Sequence, residues 1–170
     1  MNKRLIFLPA LLALTSIAWA APKVGQMAPS FELQDQNFET HALEDYRGQW
    51  IVLYFYPKAD TPGCTTEACE FRDNIFAYEA LGAAVIGVSL DDVSSQKEFA
   101  EKYHLPFPLL SDARKKVASA YGVLERFGTM AVASRQTFLI APDGRVAKHY
   151  RSVDPSVHSA EVLRDLGQLM

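Results

Sequence analysis

Uninterrupted apolar runs along the chain predict strands that are buried on both faces of a sheet. Residues 49–56 form one such run and residues 84–89 form a second. Runs of this kind are typical of strands in a sheet that helices cover on both sides. Residues 137–140 predict a further strand, and residues 146–150 pair back with it across an Ala-Pro-Asp-Gly turn.

Apolar residues at helical spacing predict helices between these strands. The longest such pattern covers residues 64–81, and Gly82 ends it. Residues 94–103 and 112–121 predict two more helices, and residues 157–169 predict the last. This order of elements predicts an α/β domain with a central mixed β-sheet flanked by helices.

Several finer predictions depend on single residues. Ser94 or Ser95 is expected to cap the helix that follows, with Glu98 completing a capping box. Residues 31–33 and 38–43 predict a short opening hairpin. Five aromatic residues are expected in the core: Tyr54, Phe55, Tyr56, Phe71 and Phe76.

The N-terminus has the pattern of a secretory signal peptide. Two basic residues precede an apolar stretch over residues 5–17, and a small-x-small pattern follows at residues 18–20. The stretch is shorter than the roughly 18 apolar residues that a membrane span needs. We therefore expect cleavage after Ala20, which leaves one domain over residues 21–170.

Charge changes the expected set of partners. Removal of residues 1–20 takes away Lys3 and Arg4 and no acidic residue, so the formal net charge goes from −3 to −5. Nucleic acid and anionic membrane surfaces are therefore poor candidate partners for the mature chain. The expected location is the periplasm, an oxidising compartment in which disulfides persist.

The two cysteines of the chain, Cys64 and Cys69, lie five residues apart, and the first follows a Pro-Gly turn. Unpaired N–H groups and the helix dipole favour a thiolate at a helix start. The pattern suits chemistry in which one sulfur reacts and the other completes the reaction. A structural disulfide is the other interpretation. However, residues i and i+5 of an intact helix have Cα atoms roughly 8–9 Å apart, whereas a disulfide spans about 7 Å at most. A bond between them therefore requires local unwinding of the helix.

The residues around Cys64 resemble a known active-site motif. Pro57, Thr61 and Cys64 form Pro-x-x-x-Thr-x-x-Cys, and Cys69 follows five residues later. This segment resembles the active site of peroxiredoxins, and the cysteine spacing is similar to that of the bacterioferritin-comigratory, or PrxQ-type, subfamily. The likeness extends to two other segments, residues 28–33 and 134–140.

The resemblance implies a thioredoxin-like fold and a thiol-dependent peroxidase that reduces hydrogen peroxide and organic hydroperoxides. It makes Cys64 the peroxidatic thiol and Cys69 the resolving thiol, which join in a redox-active disulfide. It also implies that Arg135 holds the thiolate and polarises the peroxide. Thr61 would hydrogen-bond the sulfur and the substrate oxygen, and Pro57 would shield the pocket from water. A thioredoxin-like protein, exported like this chain, would reduce the disulfide.

Two other functions remain open from the residues alone. An exported thiol–disulfide exchange protein is one, although its usual Cys-x-x-Cys motif is absent. A copper-handling binding module on a thioredoxin-like fold is the other, and it would need a histidine beside the cysteines. The four histidines show no ligand spacing, so no metal site and no cofactor are expected: His41, His104, His149 and His158.

Residues 123–134 depart from the family pattern. This stretch is short and apolar, with Phe127, Met130 and Val132, whereas the family often has a polar, lysine-rich loop there. An exposed apolar loop would suit a contact between two copies of the chain. The sequence is compatible with a monomer or a weak homodimer.

Overall fold

The computed structural model describes residues 21–170, and the expected signal peptide lies outside them. The strands of the described residues are β1 (Glu32–Gln34), β2 (Thr40–Ala42), β3 (Trp50–Phe55), β4 (Ala83–Ser89), β5 (Leu109–Ser111), β6 (Leu124–Phe127), β7 (Met130–Ala133), β8 (Gln136–Ile140) and β9 (Val146–Tyr150). The helices are α1 (Pro62–Asp73), α2 (Ile75–Ala80), α3 (Val93–Tyr103), α4 (Lys116–Ala120) and α5 (His158–Leu169), and a 3₁₀ turn covers Leu43–Tyr46. None of the helices in this part of the chain has both the length and the apolar character that crossing a membrane requires.

Five strands form the central sheet in the order β5-β4-β3-β8-β9. β3 runs parallel to β4 and antiparallel to β8, so the sheet is mixed, as the order of elements predicts. The register of β3 and β8 pairs Ile51 with Ile140 and Phe55 with Gln136. The end of β3, which leads to the cysteines, therefore lies beside the start of β8, which Arg135 immediately precedes.

Apolar side chains cover both faces of the sheet. Because successive residues of a strand point to opposite faces, Val52 and Tyr54 enter one core cluster and Leu53 and Phe55 enter the other. The first cluster includes buried residues of α1, α2, α3 and α5, and the second includes residues of α4. The predicted α/β architecture with a helix-covered mixed sheet is therefore confirmed.

Gly87 leaves room for the side chain that packs across from it. It pairs with Tyr54 in the β3–β4 register. A Cβ atom at residue 87 would lie 2.7 Å from the Tyr54 hydroxyl oxygen and 2.8 Å from Cδ2 of Leu109. Glycine is therefore required here, because any side chain would displace a fully buried tyrosine.

Several predictions about the helices are wrong. The pattern over residues 64–81 is two helices, because the chain breaks at Asn74, whose side chain donates to the carbonyl of Glu70. Phe76 is not in the core but is 80% exposed on α2, since the break changes which face of the chain is covered. The cap of α3 is Asp92, which accepts from the N–H of Ser95, rather than either serine.

The apolar stretch over residues 123–134 forms a hairpin of β6 and β7 rather than a loop. Gly128 makes its turn with a φ of 61°. Phe127 and Met130 are exposed at the tip, at 60% and 69%. The short strand β5 was also not predicted, because its three residues carry too little pattern.

Candidate active site

Cys64 lies in the first turn of α1, where the chain leaves the end of β3. Thr61 precedes the helix with extended backbone angles, and Pro62 opens it, a position where the missing N–H has no consequence. The carbonyl of Thr61 accepts the first helical bond from Thr65 at 2.8 Å. Cys64 is only 1% exposed, and it lies in the first turn of the helix, where backbone N–H groups lack helical partners.

Arg135 brings a positive charge to this sulfur. Its Nη2 lies 3.2 Å from Sγ of Cys64, across 71 positions of sequence. A Cβ atom on Gly63 would lie 3.2 Å from the same Nη2, so glycine leaves the space through which the guanidinium reaches the cysteine. The contact places a cation beside the sulfur, and charge-assisted hydrogen bonds of this kind are the strong ones.

Glu67, which is not among the predicted site residues, completes the arrangement. Its side chain is fully buried one turn after Cys64, and its Oε2 accepts a hydrogen bond from Nη1 of Arg135. Its Oε1 has no hydrogen-bond partner among residues 21–170. An acidic residue on the buried face of a predicted helix is the signal that would have found it, because buried carboxylates are nearly always paired.

Burial and charge act in opposite directions on this ion pair. Burial raises the pKa of Glu67 to about 7, although the nearby Arg135 guanidinium opposes the shift. Burial also disfavours the charged guanidinium, but the negative charges of Glu67 and Cys64 outweigh it and raise the pKa of Arg135 above its ordinary value. Arg135 thus remains a cation between two groups that can each hold a negative charge.

Thr61 and Pro57 lie in the loop that leads into α1. The Thr61 hydroxyl donates to the carbonyl of Lys58 at 3.0 Å, so in this structure its hydrogen is used inside the loop. Pro57 is half-buried and lies two residues after the end of β3. Asp91, which follows β4, also contacts this loop, because its Oδ2 accepts a hydrogen bond from the N–H of Ala59 at 2.8 Å.

Cys69 lies on the same helix as Cys64, and both thiols are free. It is half-buried, whereas Cys64 is buried. Five helical residues place the two side chains about 140° apart around the axis, with Cα atoms roughly 8–9 Å apart. The structure therefore brings Arg135 to Cys64 but keeps Cys69 away from it while α1 is intact.

His158 is fully buried and packs against α1, the helix that carries Cys64. Its Nε2 lies 2.8 Å from the Thr137 hydroxyl, and its ring packs edge-on against Phe71 of α1 at 5.8 Å between centroids. Burial lowers the pKa of His158, which favours the neutral ring. This histidine therefore connects β8, α1 and α5 as a core residue.

A separate group of possible metal ligands comprises Asp35, Glu39 and His41, the only such group of three among the residues from 21 onward. It contains neither cysteine. One ring nitrogen of His41 is 2.6 Å from the Tyr46 hydroxyl and the other is 3.2 Å from Asp35. Asp35 also accepts the N–H groups of Asn37 and Glu39, so the group stabilises the turn between β1 and β2.

The amino-acid sequence is similar to those of several known proteins. A sequence model of the AhpC/TSA family matches residues 24–149. Peroxiredoxin Bcp of Bacillus subtilis is 47% identical over 148 residues, which cover 85% of this chain and 94% of that protein. The chloroplastic peroxiredoxin Q of Triticum aestivum is 43% identical over 159 residues, covering 92% of this chain and 72% of that one.

The fold is also found in solved structures. The crystal structure of peroxidoxin BcpB from Mycobacterium tuberculosis superposes with a TM-score of 0.82 at 35% identity. The superposition covers 88% of this chain and 99% of that one. The mixed sheet and the helices on its two faces are thus similar to the architecture of that peroxidoxin.

Proposed function

Since this chain belongs to the AhpC/TSA family, as a peroxiredoxin of the Bcp and PrxQ type, it is a thiol-dependent peroxidase, and we propose that Cys64 is the thiol that attacks the peroxide. The observation that carries the proposal is the contact of 3.2 Å between Arg135 Nη2 and the buried Cys64 sulfur at the start of α1. A cation and a helix start both favour a thiolate there. A larger thiolate fraction alone raises the rate of reaction with peroxide only modestly. Orientation of the peroxide must therefore supply the rest of the rate.

The first step is a displacement on the peroxide. The Cys64 thiolate attacks one oxygen of ROOH, the O–O bond breaks, and the sulfur becomes a sulfenic acid while RO⁻ takes a proton and leaves as ROH. Arg135 has a guanidinium with five donors, so it can hold Glu67 and still present N–H groups to the peroxide oxygens. The Thr61 hydroxyl would turn from the Lys58 carbonyl to the substrate, and Pro57 would limit access of water.

The second step joins the two cysteines. The thiol of Cys69 attacks the sulfur of the Cys64 sulfenic acid, which forms the disulfide and releases water. This requires the turn between them to unwind, because their Cα atoms begin too far apart. A dithiol reductant of the thioredoxin type then reduces the disulfide to two thiols and is itself oxidised.

The proposed substrates are hydrogen peroxide and organic hydroperoxides. The signal-like N-terminus supports export to the periplasm, with a mature chain that begins at Ala21. The reductant would then be an exported thioredoxin-like protein, and the enzyme a monomer or a weak homodimer. Cell fractionation followed by N-terminal sequencing tests the location and the cleavage, and recovery of the protein in the cytoplasmic fraction with Met1 intact would overturn both.

Rapid mixing of the reduced protein with one equivalent of hydrogen peroxide tests the chemistry. Intact mass after an acid quench should show loss of two hydrogens, and Cys69→Ser should stop with one added oxygen. Trp50, the only tryptophan that remains after signal removal, provides a fluorescence signal for the rate. Oxidation no faster than that of a free cysteine would overturn the assignment of Cys64.

The same substitution made at one arginine inside the site and one outside it separates an effect on the site from a general effect of the change. Arg135→Lys keeps the charge but not the planar guanidinium that can bind Glu67 and Cys64 together. We expect it to lower the rate constant for peroxide by roughly 10- to 100-fold. Arg164→Lys makes the same change on the exposed side of α5 and should react as the unaltered protein does.

A further inference from the structure

The end of α3 holds both ends of the segment that carries the two cysteines. On the upstream side, the Asp60 carboxylate accepts the Tyr103 hydroxyl at 2.7 Å and Nζ of Lys102 at 2.7 and 2.9 Å. On the downstream side, Nη1 of Arg72 donates to the carbonyl of Tyr103 at 2.7 Å. One residue, Tyr103, therefore contacts the chain before Cys64 and again after Cys69.

The upstream contact holds a backbone conformation that is otherwise unfavourable. Asp60 has a φ of 58°, in the left-handed region that residues with a side chain seldom adopt. Its pKa is lowered, first by the hydrogen bonds from Lys102 and Tyr103, as expected for a carboxylate that accepts from two donor groups. Since Asp60 directly precedes Thr61, these bonds fix where α1 begins.

The downstream contact uses the exposed end of a helix. Tyr103 is the last residue of α3, and carbonyls there lack helical partners, so a cation is a favourable donor to them. Arg72 also donates from Nε to Asp73 at 2.8 Å, which orients its guanidinium. The ring of Tyr103 packs edge-on against Phe99 at 5.4 Å, which fixes the side chain of the upstream contact, whereas the downstream contact uses the backbone carbonyl of the same residue.

We propose that Tyr103, with Lys102, forms a clasp that holds the ends of residues 60–72 and so controls how readily the turn between Cys64 and Cys69 unwinds. Fastened ends reduce the number of conformations that the unwound segment can adopt, which favours the intact helix. The clasp therefore slows disulfide formation and extends the lifetime of the Cys64 sulfenic acid. This inference rests on the proposed roles of the two cysteines.

The competing reaction makes the clasp measurable. A sulfenic acid that meets a second peroxide takes one more oxygen from it, giving a sulfinic acid and ROH, whereas attack by the Cys69 thiol gives the disulfide and water. The ratio of these products reports the rate of unwinding directly. A residue that only supported the fold would change stability without changing this ratio.

The experiment compares Tyr103→Phe and Lys102→Met with matched controls. Tyr121→Phe loses a hydroxyl that donates to the Pro29 carbonyl in the other core cluster. Lys97→Met loses a cation of the same helix that pairs with Glu101 at 3.8 Å. In rapid-quench mass spectrometry we expect both clasp variants to form the disulfide about 3- to 10-fold faster and to yield correspondingly less sulfinic acid.

The outcomes separate the clasp from the function on which it rests. If the unaltered protein forms the disulfide but both clasp variants keep its ratio of products, or shift it toward sulfinic acid, the clasp is overturned. If the unaltered protein never forms the disulfide, the roles of the two cysteines fail first and the clasp fails with them.

Discussion

Glu67 and Cys64 lie one helical turn apart and share a single guanidinium, that of Arg135. The carboxylate holds one side of the guanidinium, and a second nitrogen lies 3.2 Å from the sulfur. The carboxylate is buried and cannot exchange its partner for water. The position of the cation that faces the sulfur thus depends on a residue that does not touch the sulfur.

Removal of the Glu67 carboxylate should therefore slow the reaction with peroxide. We expect Glu67→Ala to lower the second-order rate constant by about 100-fold, because the guanidinium loses the group that orients it. Glu67→Gln keeps an oxygen acceptor and should stay within about 5-fold of the unaltered protein. Stopped-flow mixing with hydrogen peroxide measures both, with Glu79→Ala on exposed α2 as the control. Unchanged kinetics in Glu67→Ala would show that Arg135 needs no such partner.

The same residue should make stability depend on pH. The unfolded chain releases the Glu67 proton near 4.5, whereas burial raises the pKa in the folded protein to about 7. Between these values the folded state binds more protons, so a rise in pH lowers its stability. We expect the free energy of unfolding of the reduced protein, relative to Glu67→Gln, to fall by roughly 2–3 kcal/mol between pH 4.5 and pH 8. Urea titrations test this, and a difference that does not vary with pH would contradict it.

Gly63 offers a test that separates activity from stability. Alanine is the better helix former, so Gly63→Ala should leave the free energy of unfolding equal or raise it by up to about 0.5–1 kcal/mol. Its Cβ would lie 3.2 Å from Arg135 Nη2 and 3.8 Å from Cγ of Pro155, so the guanidinium must move. We expect the peroxide rate constant to fall by about 3- to 30-fold.

Gly167→Ala is the matched control for this substitution. Residue 167 is also helical, and a Cβ there would meet no heavy atom within 4 Å. The control should show the gain in stability without any loss of rate. Equal rates for the two alanine variants would mean that the guanidinium accommodates the extra carbon.

Oxidation should expose the backbone of the reactive helix. Because the cysteines cannot bond across five residues of intact helix, amides 64–70 should exchange at least about 10-fold faster in the disulfide form. Helix α5 (His158–Leu169) should keep its protection and serves as the internal reference. Peroxide-treated Cys69→Ser should keep α1 protected. A disulfide form in which α1 exchanges as slowly as before would require another route to the bond.

Much of the architecture could be predicted because burial determines sequence pattern. The strands β3 and β4 are covered on both faces, so they appear as continuous apolar runs, and the helices show apolar positions on one face. Phe76 follows the same helical spacing as Phe71, yet it is exposed, because the break at Asn74 changes the face that is covered. Spacing alone contains no signal for such a break when asparagine, rather than proline or glycine, produces it.

The site could be predicted only in part. The spacing of Cys64 and Cys69 predicts a reactive pair, and Arg135 is predicted from the resemblance of its segment to a family motif. Glu67 was missed because its role depends on its partner, and the pairing with Arg135 arises only when β8 lies beside β3. Residue type alone also could not identify Asp92 as the cap of α3, since the two serines that follow it are equally good caps.

The pairing of β3 with β8 has a consequence for any preparation of this enzyme. Side chains alternate between the faces of a strand, so a slip of one residue in that pairing would direct Arg135 away from Cys64. A chain trapped in the wrong alignment would retain its sheet, its helices and both thiols, and circular dichroism or thiol titration would count it as native. Specific activity toward peroxide therefore reports the fraction of molecules with the correct strand alignment, which circular dichroism and thiol titration do not measure.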